Sequence, residues 1–228
     1  EFNGLSTANL LYSAIGSGVQ RFLYISTGHV YNAPLQGDIF ETNTLLNLHP
    51  YASSHRAGED CVRYAHQQHL IEGCVIRLSN GYGFPMHKDV NCWMLLVNNL
   101  CRQAVTTSKI ALQSSGVQQR DFIPMKSVVE AIHSLIITEK ETLDDGLYNI
   151  GCGQSMSVWE MACLVQRRCE KILSKKVPLS RSELSTDGGS LNYVVQKYKN
   201  IAPDYEIDHI KEIDCLIDYC IKHFSNIE

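Results

Sequence analysis

Two segments of this chain carry side chains suited to proton and hydride chemistry. Ser26-Thr27 closes a short apolar run, and Tyr51 opens the helical stretch that follows a loop. A hydroxyl and a phenol that converge on one substrate oxygen can hold a carbonyl or an alcohol and pass it a proton during hydride transfer. That convergence requires Thr27 at the carboxyl end of a parallel strand, where groups face the ligand crevice of an open α/β sheet.

The elements that would position these residues can be read from periodicity. Residues 5–16 have helical apolar spacing and stop at Gly16-Ser17-Gly18. Arg21–Thr27 is apolar on both faces and rich in aromatic and β-branched residues, which predicts a buried parallel strand. Residues 32–50, with Pro34, Gly37 and Pro50, read as a long loop. A helix from Tyr51 to about Leu70 turns Ala52, Ala57, Cys61, Val62 and Ala65 inward, and Gly73–Arg77 is a second buried strand before the turn-rich Asn80–Pro85. This alternation implies right-handed crossovers on a parallel sheet. Farther on, the pattern predicts helices near 90–104, 125–138, 157–173 and 209–224, and strands near 109–113 and 146–150. A polar turn at 114–119 and a polar stretch at 179–192 separate them. The expected organisation is a sheet domain over 1–85 and mainly a mixed lobe over 86–228, with the strand near 146–150 returning to the sheet.

Composition narrows the function classes. Twenty lysines and arginines against 24 acidic residues give a net charge of −4, with no basic stripe of the kind nucleic acid requires. No apolar stretch reaches the ~20 residues a bilayer span needs, and residues 1–20 lack the basic start and apolar core of a secretory signal. Nine cysteines, an odd number with no C-x-x-C, mostly sit among apolar neighbours and read as buried free thiols, not as a metal site or disulfide framework. The expected compartment is therefore reducing and cytoplasmic, with neither a membrane nor a nucleic acid as partner.

Order and context add a resemblance. Ile25-Ser-Thr-Gly-His-Val-Tyr31 resembles the strand-end motif of extended short-chain dehydrogenases/reductases, the family of nucleotide-sugar epimerases and dehydratases. Tyr51-Ala-Ser-Ser-His55 looks like that family's Tyr-x-x-x-Lys helix. The likeness continues through Arg77–Gly83, Arg120–Pro124 and Tyr148–Gly153, and upstream through Asn3 and Asn9-Leu-Leu11. It implies an α/β fold, a partial Rossmann-like parallel sheet with a smaller mixed α/β substrate lobe, and NAD or NADP as cofactor. It also implies roles. Thr27 would hydrogen-bond the reacting sugar oxygen, Tyr51 would be the acid/base, and His55 would stand in the place of the lysine. Asn3, Ser26, Tyr51, His55 and Leu78 would lie on the cofactor side, and Asn80 and Arg120 on the nucleotide-sugar side, Arg120 against the diphosphate. No metal ligand is implied, and a homodimer is left open.

Three departures from the family pattern shape the expectation. His55 replaces a lysine whose fixed positive charge favours the tyrosinate; an imidazole with an ordinary pKa near ~6.5 is mostly neutral at cytoplasmic pH. Gly28-His29 stands where sugar 4,6-dehydratases carry an Asp-Glu pair, which favours an epimerase or ketoreductase over a dehydratase. The family's Gly-x-x-Gly-x-x-Gly turn, which holds the cofactor pyrophosphate at a helix N-terminus, does not occur in these 228 residues, and Gly151-Cys-Gly153 lies too late to replace it. The expectation is thus part of an NAD(P)-dependent nucleotide-sugar epimerase or related oxidoreductase. The alternative is a non-catalytic truncated relative acting as a binding or interaction module.

Overall fold

A computed structural model describes residues 2–182 and 188–225. In chain order, a π-helical turn over Phe2–Ser6 leads into α1 (Thr7–Gly16), then β1 (Arg21–Thr27), β2 (Gly37–Ile39), α2 (Pro50–Gln67) and β3 (Glu72–Leu78). Next come β4 (Asn80–Tyr82), α3 (Leu96–Thr107), β5 (Ile110–Leu112), β6 (Gln119–Pro124), α4 (Met125–Ile137) and β7 (Leu147–Ile150). The chain closes with β8 (Ser155–Ser157), α5 (Val158–Leu173), β9 (Leu179–Arg181), β10 (Leu191–Tyr193), α6 (Gln196–Lys199) and α7 (His209–Phe224). The described residues form two compact units interleaved in sequence. The first comprises residues up to Ser79, Val128–Gln154 and Leu191–Tyr205; the second comprises Asn80–Ser127, Ser155–Ser190 and Glu206 onward.

In the first unit, β1, β3 and β7 form a parallel sheet in the order β1-β3-β7. Both β1 and β3 are apolar runs, and β3 is buried along nearly its whole length, as a strand covered on two faces must be. Helices α1 and α2 cover it through Leu11, Tyr24, Val62, Ala65, Ile71, Val75 and Leu147. The sequence-expected strands at 21–27, 73–77 and 146–150 are therefore present and parallel.

The chain between β1 and α2 is not all loop. β2 pairs in parallel with β10, and Val30, Tyr31, Ile39, Leu191, Tyr193 and Val195 pack there. Three-residue strands carry too few alternations for periodicity to reveal them.

The turn from α4 into β7 admits only glycine at 146. Gly146 has φ +68°, and a Cβ there would collide with the Gly73 carbonyl oxygen of β3. A left-handed β-carbon costs about 1–2 kcal/mol and overpacking about 1–3 kcal/mol. Gly146→Ala should therefore lose about 2–5 kcal/mol, read as a lowered urea midpoint with an unchanged slope.

In the second unit, β4 pairs in parallel with β6, which pairs antiparallel with β8, while β5 and β9 form a separate parallel pair. Helices α3, α5 and α7 enclose Leu100, Cys101, Ala104, Met161, Val165, Cys169, Leu216, Ile217 and Cys220. A capping box starts α5, the Ser157 hydroxyl accepting from the Glu160 N–H while the Glu160 carboxylate accepts from the Ser157 N–H. Asn80–Tyr82, read from the sequence as a turn, is the strand β4. The helix expected from residue 90 begins at Leu96, because the preceding residues turn to bury Trp93, whose indole N–H donates to the Lys88 carbonyl. All nine cysteines are free thiols, and no helix of the described residues is long and apolar enough to cross a membrane.

Candidate active site

The carboxyl ends of β1 and β3 lie side by side. Thr27 is the register partner of Leu78, and Leu78 in turn pairs with Ile150 of β7. Register partners on parallel strands present their side chains on one face, so Thr27 and Leu78 share a face at the end of the sheet where ligands bind in this architecture. The Thr27 oxygen accepts the His29 N–H at 3.2 Å, which fixes the rotamer and leaves its own proton available to a ligand.

Helix α2 starts where it does for local reasons. Pro50 occupies its first turn, and the His49 ring accepts the Tyr51 N–H at 3.2 Å. Tyr51 is thereby held in the first turn, the residue 49% exposed. One turn on, His55 meets it edge-on, the ring centroids 4.6 Å apart. His55 Nδ1 lies 3.3 Å from the Tyr24 hydroxyl. Burial lowers the His55 pKa below that of ordinary imidazole, and the Glu59 carboxylate opposes the shift only in part. The ring is thus neutral at pH 7. Because folding favours the neutral form, this stability is present above the ordinary imidazole value near ~6.5 and is lost as pH falls through the depressed one. Asn3 borders the same helix, its side-chain amide donating to the Ser54 hydroxyl at 3.1 Å.

Ser26 is turned the other way. It shares a register row with Arg77 and Asn149, and its hydroxyl donates to the Glu59 carboxylate, within a row that is buried throughout. Arg77 donates to both Glu59 oxygens, with Nη2 at 2.7 Å, and through Nη1 to the Tyr31 hydroxyl at 3.0 Å and the Glu41 carbonyl at 3.0 Å. Tyr31 donates to Asn149 at 2.6 Å. Burial opposes the Arg77 charge, yet hydrogen bonds to Glu59 and Tyr31 outweigh it and raise the pKa. Burial also pushes Tyr31 up to about 12, against the pull of Arg77. This network ties β1, β3, β7 and α2 together directly behind the Thr27 row.

The substrate-side residues named from the sequence belong to the second unit. Asn80 donates its amide to the Asp121 carbonyl at 2.9 Å, which joins β4 to β6. Arg120 is half-buried on β6, burial lowers its pKa, and it has no carboxylate partner among the described residues. An unpaired guanidinium of this kind is suited to an anionic ligand.

Sequence reasoning missed Tyr24, Gly58, Glu59 and Arg77. A signal existed for the last pair: Glu59 lies on the Tyr51–His55 stripe of α2, and Arg77 interrupts an otherwise apolar strand. Opposite charges in two apolar settings are expected to meet.

Comparison with known proteins places this geometry in a family. Residues 1–151 match the profile of the NAD dependent epimerase/dehydratase family. The dTDP-D-glucose 4,6-dehydratase of Mus musculus is 31% identical over 163 residues, 70% of this chain and 43% of that protein. UDP-glucuronic acid decarboxylase 5 of Arabidopsis thaliana is 30% identical over 165 residues, covering 70% and 46%. Among solved structures, the UDP-glucuronic acid 4-epimerase of Bacillus cereus in complex with UDP-glucuronic acid and NAD has a TM-score of 0.75 at 19% identity, over 96% of this chain and 67% of that one. The RMD protein of Pseudomonas aeruginosa complexed with NADPH has a TM-score of 0.76 at 20% identity, covering 96% and 73%. The chain thus spans under half the length of these two curated relatives. With the strand-end threonine, the tyrosine helix and the parallel sheet in the same order, the chain belongs to the NAD dependent epimerase/dehydratase family.

Proposed function

We propose that this chain carries the proton-transfer and sugar-binding groups of an NAD(P)-dependent nucleotide-sugar epimerase or a related oxidoreductase. The observation that carries the reading is the pairing at the head of α2, where Tyr51 stands exposed with the His55 ring edge-on to it. When bound, the nicotinamide supplies the hydride acceptor. Tyr51 takes the proton of the sugar hydroxyl as the carbon is oxidised and returns it on reduction. Thr27 donates to the same oxygen and holds it as charge develops. Leu78 would lie on the nicotinamide side, and Asn3 keeps its place beside α2. In the second unit, taken by itself, Arg120 is the candidate to bind a diphosphate and Asn80 the candidate to line a sugar. Ser26 acts through Glu59, keeping β1 and α2 in register.

Gly28 supports epimerisation or keto reduction over dehydration. A Cβ at 28 would lie 2.9 Å from the Tyr193 hydroxyl. Tyr193 is buried, packs edge-on against Tyr31 and donates to the Arg77 carbonyl at 2.7 Å, so it cannot yield to a carboxylate side chain. The neutral imidazole favours a second reading, a non-catalytic relative that binds nucleotide sugars as an interaction module.

Turnover separates the two readings. The protein is incubated with NAD+ or NADP+ and a panel of UDP- and dTDP-sugars, and the configuration of the sugar is followed by proton NMR. His55→Lys restores a charge that persists to about pH 10. It should raise turnover at neutral and mildly alkaline pH by about tenfold, the worth of 1.4 kcal/mol in the proton-transfer step. His55→Ala should lower it. If NAD+ or NADP+ binds and the parent and His55→Lys both leave every sugar unchanged, the binding-module reading stands.

A further inference from the structure

The Tyr24 hydroxyl lies between two groups that do not offer it the same choice. One is the Asn3 backbone carbonyl, 3.3 Å away, which can only accept; the other is His55 Nδ1, also at 3.3 Å, which can donate or accept according to tautomer. A phenol has one proton. If it goes to Nδ1, two oxygens face each other at Asn3 with no hydrogen between them, and only one bond is made. If it goes to Asn3, the phenol oxygen accepts from Nδ1–H and both contacts are bonds.

We infer that Tyr24 is a positioning residue that holds His55 in its Nδ1–H tautomer, so that Nε2 is the unprotonated nitrogen offered to the site. The role played by the neighbour of one ring nitrogen in setting the state of the other is general for histidine. A second observation shows that this contact is built in. The helix carries glycine at 58, three residues beyond His55, and a Cβ there would lie 2.5 Å from the Tyr24 hydroxyl and 2.6 Å from the Asn3 carbonyl oxygen. Only a bare backbone lets the phenol reach across. His55 makes no other hydrogen bond among the described residues.

The chemical consequence differs from that of a lysine. A lysine ammonium has three donors and no acceptor, whereas this imidazole presents a lone pair. His55 would then take a proton from a hydroxyl of the ligand or of Tyr51, acting as the next station of the relay. That consequence rests on the catalytic reading proposed above, but the tautomer is measurable without any substrate.

The test is a long-range proton–nitrogen NMR correlation on nitrogen-15-labelled protein, at a pH above the ordinary imidazole value, with the His55 signals assigned by their loss in His55→Gln. The parent should show a protonated Nδ1 and a pyridine-like Nε2. Tyr24→Phe keeps the ring and removes the hydroxyl, and should shift the tautomer ratio toward Nε2–H by about fivefold, the worth of one net hydrogen bond. A parent already in the Nε2–H form overturns the inference, even if the variant does not fold. So does a folded Tyr24→Phe with an unchanged ratio. Neither result depends on whether the protein turns over a nucleotide sugar.

Discussion

Tyr51→Phe should lower turnover of any accepted nucleotide sugar by about 10²–10⁴-fold, the usual contribution of one positioned acid/base. The loss should fall on kcat. The ring remains to meet His55, and the backbone N–H remains capped by His49. Because about half of the Tyr51 surface is exposed (49%), removing its hydroxyl leaves no buried group unpaired, and the melting temperature should stay within a degree or two of the parent. Steady-state kinetics alongside a thermal melt separates chemistry from folding. A variant that turns over within twofold of the parent would remove Tyr51 from the proton relay.

Glu59→Ala should be the most damaging substitution for the fold. It leaves Arg77 charged, 1% exposed and stripped of its counter-charge, and it takes away the acceptor of Ser26. Breaking a buried pair from one side costs about 3–5 kcal/mol, a large part of the 5–15 kcal/mol that holds an ordinary domain. Removing both charges by Glu59→Leu with Arg77→Met should cost less than Glu59→Ala alone, since no charge is then stranded. Urea unfolding of the singles and the double gives a cycle whose coupling term reports the pair directly. If Glu59→Ala unfolds within 1 kcal/mol of the parent, the arginine has found water or another acceptor and the network does not bind the sheet to α2.

Much of the first unit was legible because its elements are long. Arg21–Thr27 and Glu72–Leu78 are apolar on both faces, and α2 repeats its inward positions over five turns, so both periods are unmistakable. The motif segments then located Thr27, Tyr51 and His55 in elements of the anticipated kind. What escaped was non-local. β2 finds β10 across most of the chain, and neither three-residue strand has a period of its own. Ser26, read as a cofactor contact beside Thr27, has its hydroxyl on Glu59, because adjacent strand residues point to opposite faces. Tyr24 looked like one more apolar residue of β1. Its hydroxyl acquires meaning only from Gly58 and Asn3, which sequence spacing alone does not bring to it.

The contact between Gly28 and Tyr193 also constrains how this protein can change. Acquiring a carboxylate after Thr27 requires room that the Tyr193 hydroxyl occupies, so the acid entering first would be overpacked by about 1–3 kcal/mol. Shortening Tyr193 first gives up its bond to the Arg77 carbonyl and leaves a gap beside Tyr31, which also destabilises. Each change is harmful without the other. The path to a carboxylate at position 28 therefore crosses a valley whichever step is taken first, and the two positions must move together, by selection or by design.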